Sequence, residues 1–292
     1  MNPIGLMKFI TSHPLNRAAP LQAVGRFARW QIASRLVGGP IYLPFVAGTG
    51  LMVSRGMTGA TGNWYCGLHE LDEMAFVLHA LRPGDLFADI GANVGSYTVL
   101  AGGAVGADVL SVEPLPATFE RLSANIRING LEQRVEAHCC GLSDRAGKIT
   151  FTVGLDTMNR VALPGENLAT CEVPVMTLDD LCGDRRPVVL KIDVEGHEVP
   201  VLNGASKVLD STAVKAVLIE TNGSGERYGV VDDAIMSTLS NRGFTPCRYD
   251  WEARKIHPVT GGERNTIFMR DPQAMEATCR QAPRYSLVNG SV

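Results

Sequence analysis

Several kinds of feature are missing from this sequence of 292 residues, and each absence excludes a class of protein. Its seven cysteines form no CxxC pair and are odd in number, which argues against a disulfide framework or a zinc ribbon and favours the reducing cytoplasm. No basic run accompanies the net charge of −3, so we expect no nucleic-acid partner. The first ten residues contain one lysine and no long apolar core, so we expect no signal peptide.

No stretch is long and apolar enough to predict a membrane span. The most apolar segment, Val37 to Val53, is interrupted by four glycines and two prolines and is too short to cross a bilayer. We therefore expect no stable membrane insertion. Internal repeats and low-complexity runs are also absent, which leaves a globular composition with 45% hydrophobic and 20% charged residues.

What the chain does contain is a glycine-rich turn, Gly91-Ala-Asn-Val-Gly95. The apolar run Leu86 to Ile90 before it predicts a strand, and Tyr97 to Ala101 after it predicts a helix. Glycines there can take positive φ and let a ligand approach the backbone and the free N–H groups of the helix. An NAD fingerprint would need a third glycine, and a P-loop would need a lysine before Ser96.

Two acidic residues near this turn indicate the ligand. Asp89 would repel a phosphate but would suit a cationic amino group. Glu113 ends the next predicted strand, where a carboxylate can accept hydrogen bonds from both hydroxyls of a ribose; the alternative is a solvated strand end. A ligand with a cationic amino-acid end and a ribose fits both, so we predict S-adenosylmethionine. We expect it to be held by Asp89, Gly91, Asn93, Gly95 and Glu113.

A third strand end is expected at the same edge of the sheet. Val135 to Cys140 is predicted to be a strand, and Gly141 to Asp144 follows it directly. Because the carboxyl ends of parallel strands meet at one edge, we expect this segment to meet the adenine through its backbone and through Ser143.

A second group of ionisable residues lies at the end of the clearest buried strand, Val188 to Val194. Strand alternation puts Lys191, Asp193 and Glu195 on one face, and charges in a buried strand require partners. We predict that Asp193 lies nearest the transferred methyl group, in contact with the donor or orienting the acceptor. Either Glu195 or His197 is the candidate base that takes a hydroxyl proton.

Two other interpretations of this group stay open. The charges could form a structural ion-pair network that caps the following helix, with Glu198 near its N-terminus. Asp193, Glu195 and His197 could also ligate a metal ion. Because they come from one short segment and no second cluster completes the coordination shell, we predict no metal site.

The remaining pattern divides the chain into three parts. Residues 1–82 are predicted to form an N-terminal extension, in which a turn-rich loop over residues 58–65 precedes a cap helix from Leu68 to Leu81. Residues 83–272 form the domain that binds the methyl donor. Residues 273–292, where the pattern fades, are predicted to be a flexible tail.

Two segments are candidates for contact with the acceptor. The extension directly precedes the first strand and could form a lid over the donor. A polar loop between predicted strands Lys148 to Val153 and Cys171 to Met176 forms an inserted β-hairpin, and such loops often carry specificity. The side chains expected to face the site from these segments are Tyr65, His69, Glu70, Met158, Asn159 and Arg160.

Together these motifs resemble the FkbM-type family of S-adenosylmethionine-dependent methyltransferases, within the class I superfamily. The matching segments are Phe87-Ala-Asp-Ile-Gly-Ala-Asn-Val-Gly-Ser-Tyr, Glu113-Pro114, Gly141-Leu-Ser-Asp with Gly147, and above all Leu190-Lys-Ile-Asp-Val-Glu-Gly-His-Glu with Val201-Leu-x-Gly204. The resemblance implies an α/β fold with a Rossmann-like, doubly wound, mostly parallel sheet of seven strands, the last antiparallel. It also implies O-methylation, often of sugar hydroxyls in glycans, glycolipids or secondary metabolites.

We therefore predict an enzyme that moves the methyl group of S-adenosylmethionine to a hydroxyl of a small-molecule or glycan acceptor by in-line displacement. N-methylation stays open, since a neutral amine needs less help from a base than a hydroxyl does. A non-catalytic protein that binds S-adenosylmethionine is a further alternative. A nicotinamide oxidoreductase is disfavoured by the missing third glycine and by Asp89.

Overall fold

The N-terminal extension is a folded layer of helices with one β-hairpin. The computed structural model describes residues 3–155, 158–163, 165–229, 231–261 and 264–292. The elements of the extension are α1 (Pro3–Ser12), α2 (Pro20–Leu36), β1 (Ile41–Pro44), β2 (Gly50–Val53), α3 (Thr58–Cys66) and α4 (Leu71–Ala80). Helix α4 confirms the predicted cap helix, with shorter bounds.

Helix α3 replaces the turn-rich loop that the sequence predicts, so that prediction is wrong. Its glycines lower the intrinsic helix propensity, but Ala60, Tyr65 and Cys66 are buried against the rest of the extension. Tertiary burial of this kind supplies most of the stability of short helices in proteins.

A buried polar network joins the first three helices. The guanidinium of Arg26 on α2 donates hydrogen bonds to Asn16 Oδ1 (2.6 Å) and to the carbonyl oxygen of Tyr65 on α3 (2.9 Å). The amide of Asn16 in turn donates to the carbonyl oxygens of Ile10 and Tyr65. These bonds satisfy a charge that would otherwise be costly to bury, and they fix the orientation of α2.

The rest of the chain alternates strands and helices. After Ala80 the elements are, in chain order, β3 (Leu86–Ile90), α5 (Ser96–Val99), β4 (Asp108–Val112), α6 (Pro116–Ile128), β5 (Val135–His138), β6 (Gly141–Leu142), β7 (Gly147–Thr152), β8 (Thr170–Met176), α7 (Leu178–Cys182), β9 (Val189–Ile192), α8 (Glu198–Asn203), α9 (Ser206–Asp210), β10 (Ala216–Thr221), α10 (Asp232–Ser240), β11 (Thr245–Asp250), β12 (Lys255–Pro258), β13 (Arg264–Met269), α11 (Pro272–Arg280), β14 (Ser286–Leu287) and β15 (Gly290–Ser291).

The central sheet confirms the predicted α/β, doubly wound architecture. Its strand order is β12-β11-β13-β10-β9-β3-β4-β5, and the five strands from β10 to β5 run parallel. Successive strand residues point to opposite faces: Phe87 and Val109 join one apolar core, while Ala88 and Leu110 join the other. Helices cover both faces, so these strands are mostly apolar.

The sheet has eight strands among the described residues rather than the seven that the resemblance implies. The antiparallel strand is present as predicted, since β13 runs antiparallel to β10. The extra strand is β12, at the outer edge, which pairs antiparallel with β11. It is formed by Lys255–Pro258, and burial of Ile256 draws this segment onto the sheet.

The inserted hairpin is also confirmed. Strands β7 and β8 pair antiparallel, and β6 joins them in a separate three-stranded sheet. Part of the connecting loop, residues 156, 157 and 164, lies outside the described residues.

The segment 273–292 is not a flexible tail in this structure, contrary to the sequence-based expectation. Helix α11 packs beside α4, and β14 pairs with β15. The side chains of Cys279, Tyr285 and Val292 are buried, and the backbone N–H of Val292 donates to the carbonyl oxygen of Tyr285. These few apolar residues are spaced too widely to produce a periodic pattern in the sequence.

Two further properties of the chain concern its cysteines and its helices. All seven cysteines are free thiols. Within the described parts of the chain, no helix has both the length and the apolar character needed to cross a membrane.

We predict that Tyr285→Ala lowers the free energy of unfolding by about 3 kcal/mol, because it removes a buried aromatic ring beside His79. The exposed neighbour is the control, and Ser286→Ala should change this free energy by less than about 0.5 kcal/mol. Urea denaturation followed by circular dichroism measures both. Equal stability of Tyr285→Ala and the native chain would contradict the ordered C-terminal segment.

Candidate active site

A cavity of about 260 Å³ opens at the carboxyl ends of β3, β4, β9 and β10. This is the edge at which doubly wound α/β folds bind ligands. Its wall combines the glycine turn after β3, the ends of β4, β9 and β10, part of the hairpin and part of the extension. The lining residues include Met57, Asn63, His69, Glu70, Met74, Gly91, Asn93, Tyr97, Glu113, Leu115, Thr118, Phe151, Asn159, Lys191, Asp193, Glu195, His197 and Glu220.

The glycine turn is packed directly against the end of β9. Gly91 has φ of +78°, and a Cβ atom at this position would overlap the carbonyl oxygen of Asp193. Gly95 has φ of +91°, and a Cβ there would lie 2.6 Å from Leu122 Cδ1. Both positions therefore require glycine for conformation and for space. This close packing brings the glycine turn, which is the predicted donor-binding loop, and the ionisable residues at the end of β9 into one site.

Glu113 is held in a fixed orientation at the end of β4. The backbone N–H of Asn93 donates to one of its carboxyl oxygens and the N–H of Leu115 to the other, each at 3.0 Å. Burial raises the pKa of Glu113 to about 7, although these two hydrogen bonds oppose the shift. Glu113 lines the cavity, and its contact with the ribose stays a prediction.

Asp89 occupies a different place from the one predicted. Its side chain is 1% exposed and is not part of the cavity wall. Thr98 Oγ1 donates to Asp89 Oδ2 at 2.6 Å, while Oδ1 is buried without a hydrogen-bond partner in the described residues. Burial raises the pKa of Asp89, and Lys191 opposes that shift. The structure thus supports a role in bracing the turn and does not support direct contact with the donor.

Lys191 and Asp193 are paired, as the sequence predicts for charges near a buried strand. Lys191 Nζ donates to Asp193 Oδ2 at 2.8 Å and lies 4.9 Å from the centre of the Tyr97 ring. Burial lowers the pKa of Lys191, but the carboxylates of Asp193 and Asp89 outweigh it and raise the pKa overall. The ammonium group therefore stays charged in the site.

Three carboxyl groups gather on one side of the cavity, those of Asp193, Glu195 and Glu220. One oxygen from each lies within 4.8 Å of the others. Burial raises the pKa of Glu195 to about 7 and that of Glu220 to about 8, and the Asp193 charge adds to both shifts. These groups are close enough to ligate one cation together. The set of metal ligands that the sequence analysis considered contained His197 in place of Glu220.

Glu220 is the site residue that sequence reasoning missed. It lies at the carboxyl end of β10, and Asn222 Nδ2 donates to its Oε1 at 2.6 Å. Its other oxygen, Oε2, is buried and has no hydrogen-bond partner among the described residues. The only signal in the sequence is an acidic residue that ends an apolar strand next to β9.

His197 lines the cavity, whereas Ser143 lies behind it. The Nε2 atom of His197 is 3.1 Å from Ser143 Oγ, and burial lowers the pKa of the imidazole. Ser143 is 4% exposed and is absent from the cavity wall, so any contribution to donor binding would act through His197. Glu198 accepts hydrogen bonds from the backbone N–H groups of Val194 and Gly196, which is the structural capping role considered above.

The extension and the hairpin close the cavity from the outside. His69 and Glu70 line it as expected, and Tyr97 Oη donates to Glu70 Oε2 at 2.8 Å. Asn159 also lines it. The other expected contacts lie elsewhere. Tyr65 is buried within the extension, Met158 is 61% exposed, and Arg160 is paired with Glu166 at 2.5 Å.

A sequence model described as "Methyltransferase FkbM domain" matches residues 89–246, more than half of the chain. The chain belongs to the FkbM methyltransferase family. Its methyl donor is therefore S-adenosylmethionine. Glu113 and the glycine turn fit that group, since a desolvated carboxyl group and a closely approachable backbone face one cavity.

Curated relatives include methyltransferases with different acceptors. Hexuronic acid methyltransferase AglP of Haloferax volcanii is 31% identical over 52% of this chain and 62% of its own length. The 31-O-demethyl-FK506 methyltransferase FkbM of Streptomyces tacrolimicus is 30% identical over 56% of this chain and 74% of its own length. A putative methyltransferase of Streptococcus mutans, solved with SAH, aligns at a TM-score of 0.41 and 10% identity over 68% of this chain and 93% of that chain. A score this low adds no information on function.

We predict that Gly91→Ala weakens S-adenosylmethionine binding by at least about tenfold, because the new methyl group forces the turn away from the end of β9. Gly84→Ala is the matched control: Gly84 has φ of +83°, but a Cβ there meets nothing within 4 Å. Both variants lose about 1 kcal/mol of stability from backbone strain. Isothermal titration compares the affinities, and equal affinities in the two variants would show that the close packing is unimportant.

Proposed function

We propose that this chain transfers a methyl group to a hydroxyl of a sugar or of a secondary metabolite. Family membership supports methyl transfer. Two relatives have names that point to oxygen-bearing acceptors, a hexuronic acid and 31-O-demethyl-FK506. The acceptor of this chain is inferred below from its own cavity.

The observation that carries the proposal is the set of carboxyl groups around the glycine turn. Glu113, Asp193, Glu195 and Glu220 all line one cavity, with Lys191 paired to Asp193. S-adenosylmethionine, when bound, supplies an electrophilic methyl group on a positively charged sulfur, and it also carries a cationic amino group. Carboxylates in a partly desolvated cavity attract both charges more strongly than they would in water.

Each part of the wall has a separate task in this proposal. The oxygens of Glu113 are oriented by two backbone N–H groups, and their remaining lone pairs accept the ribose hydroxyls. Asp193 is held by Lys191, so it positions rather than accepts a proton. Asn159, His69 and Glu70 lie on the outer wall, where they can contact an acceptor.

The proton of the acceptor hydroxyl goes to Glu195 or Glu220. Both carboxyl groups have a pKa raised towards neutral pH, where a general base is most effective. Glu220 has a buried oxygen, Oε2, that receives no hydrogen bond from the described part of the chain and could accept the proton. His197 is less suitable, because burial lowers the pKa of its imidazole and makes it a weaker proton acceptor. The sequence-based choice of Glu195 or His197 is therefore revised to Glu195 or Glu220.

The same carboxyl groups favour an uncharged acceptor. A carboxylate on the acceptor would be repelled by Glu195 and Glu220 whenever these are ionised. In the described wall the lysine that could offset this repulsion is Lys191, which is engaged with Asp193. We therefore expect neutral sugars to be methylated in preference to uronic acids.

An acceptor panel tests the proposal. The native chain is incubated with S-adenosylmethionine and with matched neutral sugars, uronic acids and amino sugars, and the products are assigned by mass spectrometry and NMR. Methyl ethers are expected, most efficiently on the neutral sugars. Methylamine products would replace O-methylation by N-methylation, and normal donor binding without turnover on any acceptor class would favour a non-catalytic binding protein.

The pH dependence identifies the base. We predict that kcat rises as pH increases through about 7 to 8, because Glu195 and Glu220 are protonated below their raised pKa values and cannot accept the hydroxyl proton. Substitution of the base by glutamine should lower kcat by about a hundredfold or more with little change in KM for the donor. Of Glu195→Gln and Glu220→Gln, the variant at the residue that is not the base serves as the control. If the dependence of kcat on pH is unchanged in both Glu195→Gln and Glu220→Gln, neither residue is the base.

A further inference from the structure

Charge is distributed very unevenly along this chain. Residues 1–69 contain six basic residues and no aspartate or glutamate. The remaining 21 basic and 30 acidic residues give residues 70–292 a net charge of −9. Residues 1–69, which hold every helix and strand of the extension except α4, are therefore strongly cationic, while the rest of the chain is anionic. An asymmetry of this kind indicates an anionic partner for the extension.

The longest helix of the extension presents an apolar face to solvent. Leu21, Ile32 and Leu36 on α2 are 84%, 61% and 80% exposed, and Ala28 between them is also exposed. With 3.6 residues per turn these four side chains form one stripe along the helix. The opposite face, with Ala23, Arg26, Trp30 and Ser34, is the one buried in the extension.

Two arginines border this stripe. Arg29 and Arg35 are exposed, and helical geometry puts Arg29 along one edge of the stripe and Arg35 along the other. Among the residues that the structure describes, neither forms an ion pair with a carboxylate; Arg35 donates to the side-chain oxygen of Gln31 at 2.8 Å. Their charges are thus available to an external anion. We call Leu21, Ala28, Ile32, Leu36, Arg29 and Arg35 the α2 outer face.

We propose that the α2 outer face docks on the surface of a membrane that contains anionic phospholipids. An interfacial helix needs apolar side chains that enter the headgroup region and basic side chains that meet the lipid phosphates, and this face provides both. The helix lies along the surface and does not span the bilayer, because its other face is anchored in the extension by Trp30 and Arg26.

Charge also argues against a second copy of this chain as the occupant. A two-fold contact through the α2 outer face would bring Arg29 and Arg35 close to the same arginines of the other copy, and residues 1–69 contain no aspartate or glutamate to offset them. An anionic bilayer complements the apolar stripe and both arginines at once. The inference rests on α2 alone and does not depend on the identity of the methyl acceptor.

Vesicle flotation of the full chain tests the proposal. The vesicles contain phosphatidylcholine alone or mixed with phosphatidylglycerol, and the salt concentration is varied. We expect binding to the mixed vesicles that weakens with salt. The variant Leu21→Ser/Ile32→Ser/Leu36→Ser and the variant Arg29→Gln/Arg35→Gln should each bind at least about tenfold more weakly. Arg121→Gln/Arg127→Gln, which removes two exposed arginines from α6, is the matched control and should bind like the native chain.

Circular dichroism and donor titration show whether each variant is folded, since none of the substituted residues lines the cavity. Absence of binding to phosphatidylglycerol vesicles would overturn the proposal, and so would binding that is equal in all variants. Sedimentation velocity supplies the remaining outcome. A dimer of the native chain that is lost in the triple serine variant would assign the face to contact between copies of this chain instead.

Discussion

The close approach of the glycine turn to the end of β9 is the constraint on which the site depends. Gly91 leaves no room for a side chain beside the Asp193 backbone, so the loop after β3 and the segment after β9 form one surface. Hydrogen bonds from Gly91 and Ala92 to the Val112 carbonyl oxygen join the end of β4 to the same surface. Three strand ends are thereby fixed relative to one another without any contribution from a ligand.

Desolvation is what makes this surface chemically active. The carboxyl groups of Glu195 and Glu220 are packed near each other and near Asp193, and Glu113 lines the same cavity. Burial raises the pKa of Glu113, Glu195 and Glu220 towards or above neutrality. Such groups can attract a cationic donor and exchange a proton near neutral pH. The extension contributes to the desolvation, because His69, Glu70 and Met74 cover the outside of the cavity. The same packing over the strand ends therefore stabilises the fold and raises the pKa values of the carboxyl groups.

The parts that could be predicted are those encoded by short local patterns. The glycine turn, Glu113 and the Asp193–His197 segment each follow an apolar strand, and a parallel sheet brings such ends together. Glu220 and the inward position of Asp89 depend on the packing of neighbouring strands, which the sequence does not display. Helix α3, strand β12 and the ordered C-terminal segment are stabilised by tertiary burial of a few apolar residues, such as Ile256 and Tyr285, against local patterns that indicate loops.

The central claim is that this edge of the sheet binds S-adenosylmethionine through the carboxylate of Glu113. The most direct measurement is isothermal titration of S-adenosylmethionine into the native chain, Glu113→Gln and the buried control Asp89→Asn. The account predicts binding to the native chain, a loss of roughly tenfold to a hundredfold in Glu113→Gln from weakened charged hydrogen bonds, and a smaller loss in Asp89→Asn. Undiminished binding in Glu113→Gln, or a larger loss in Asp89→Asn, would contradict it.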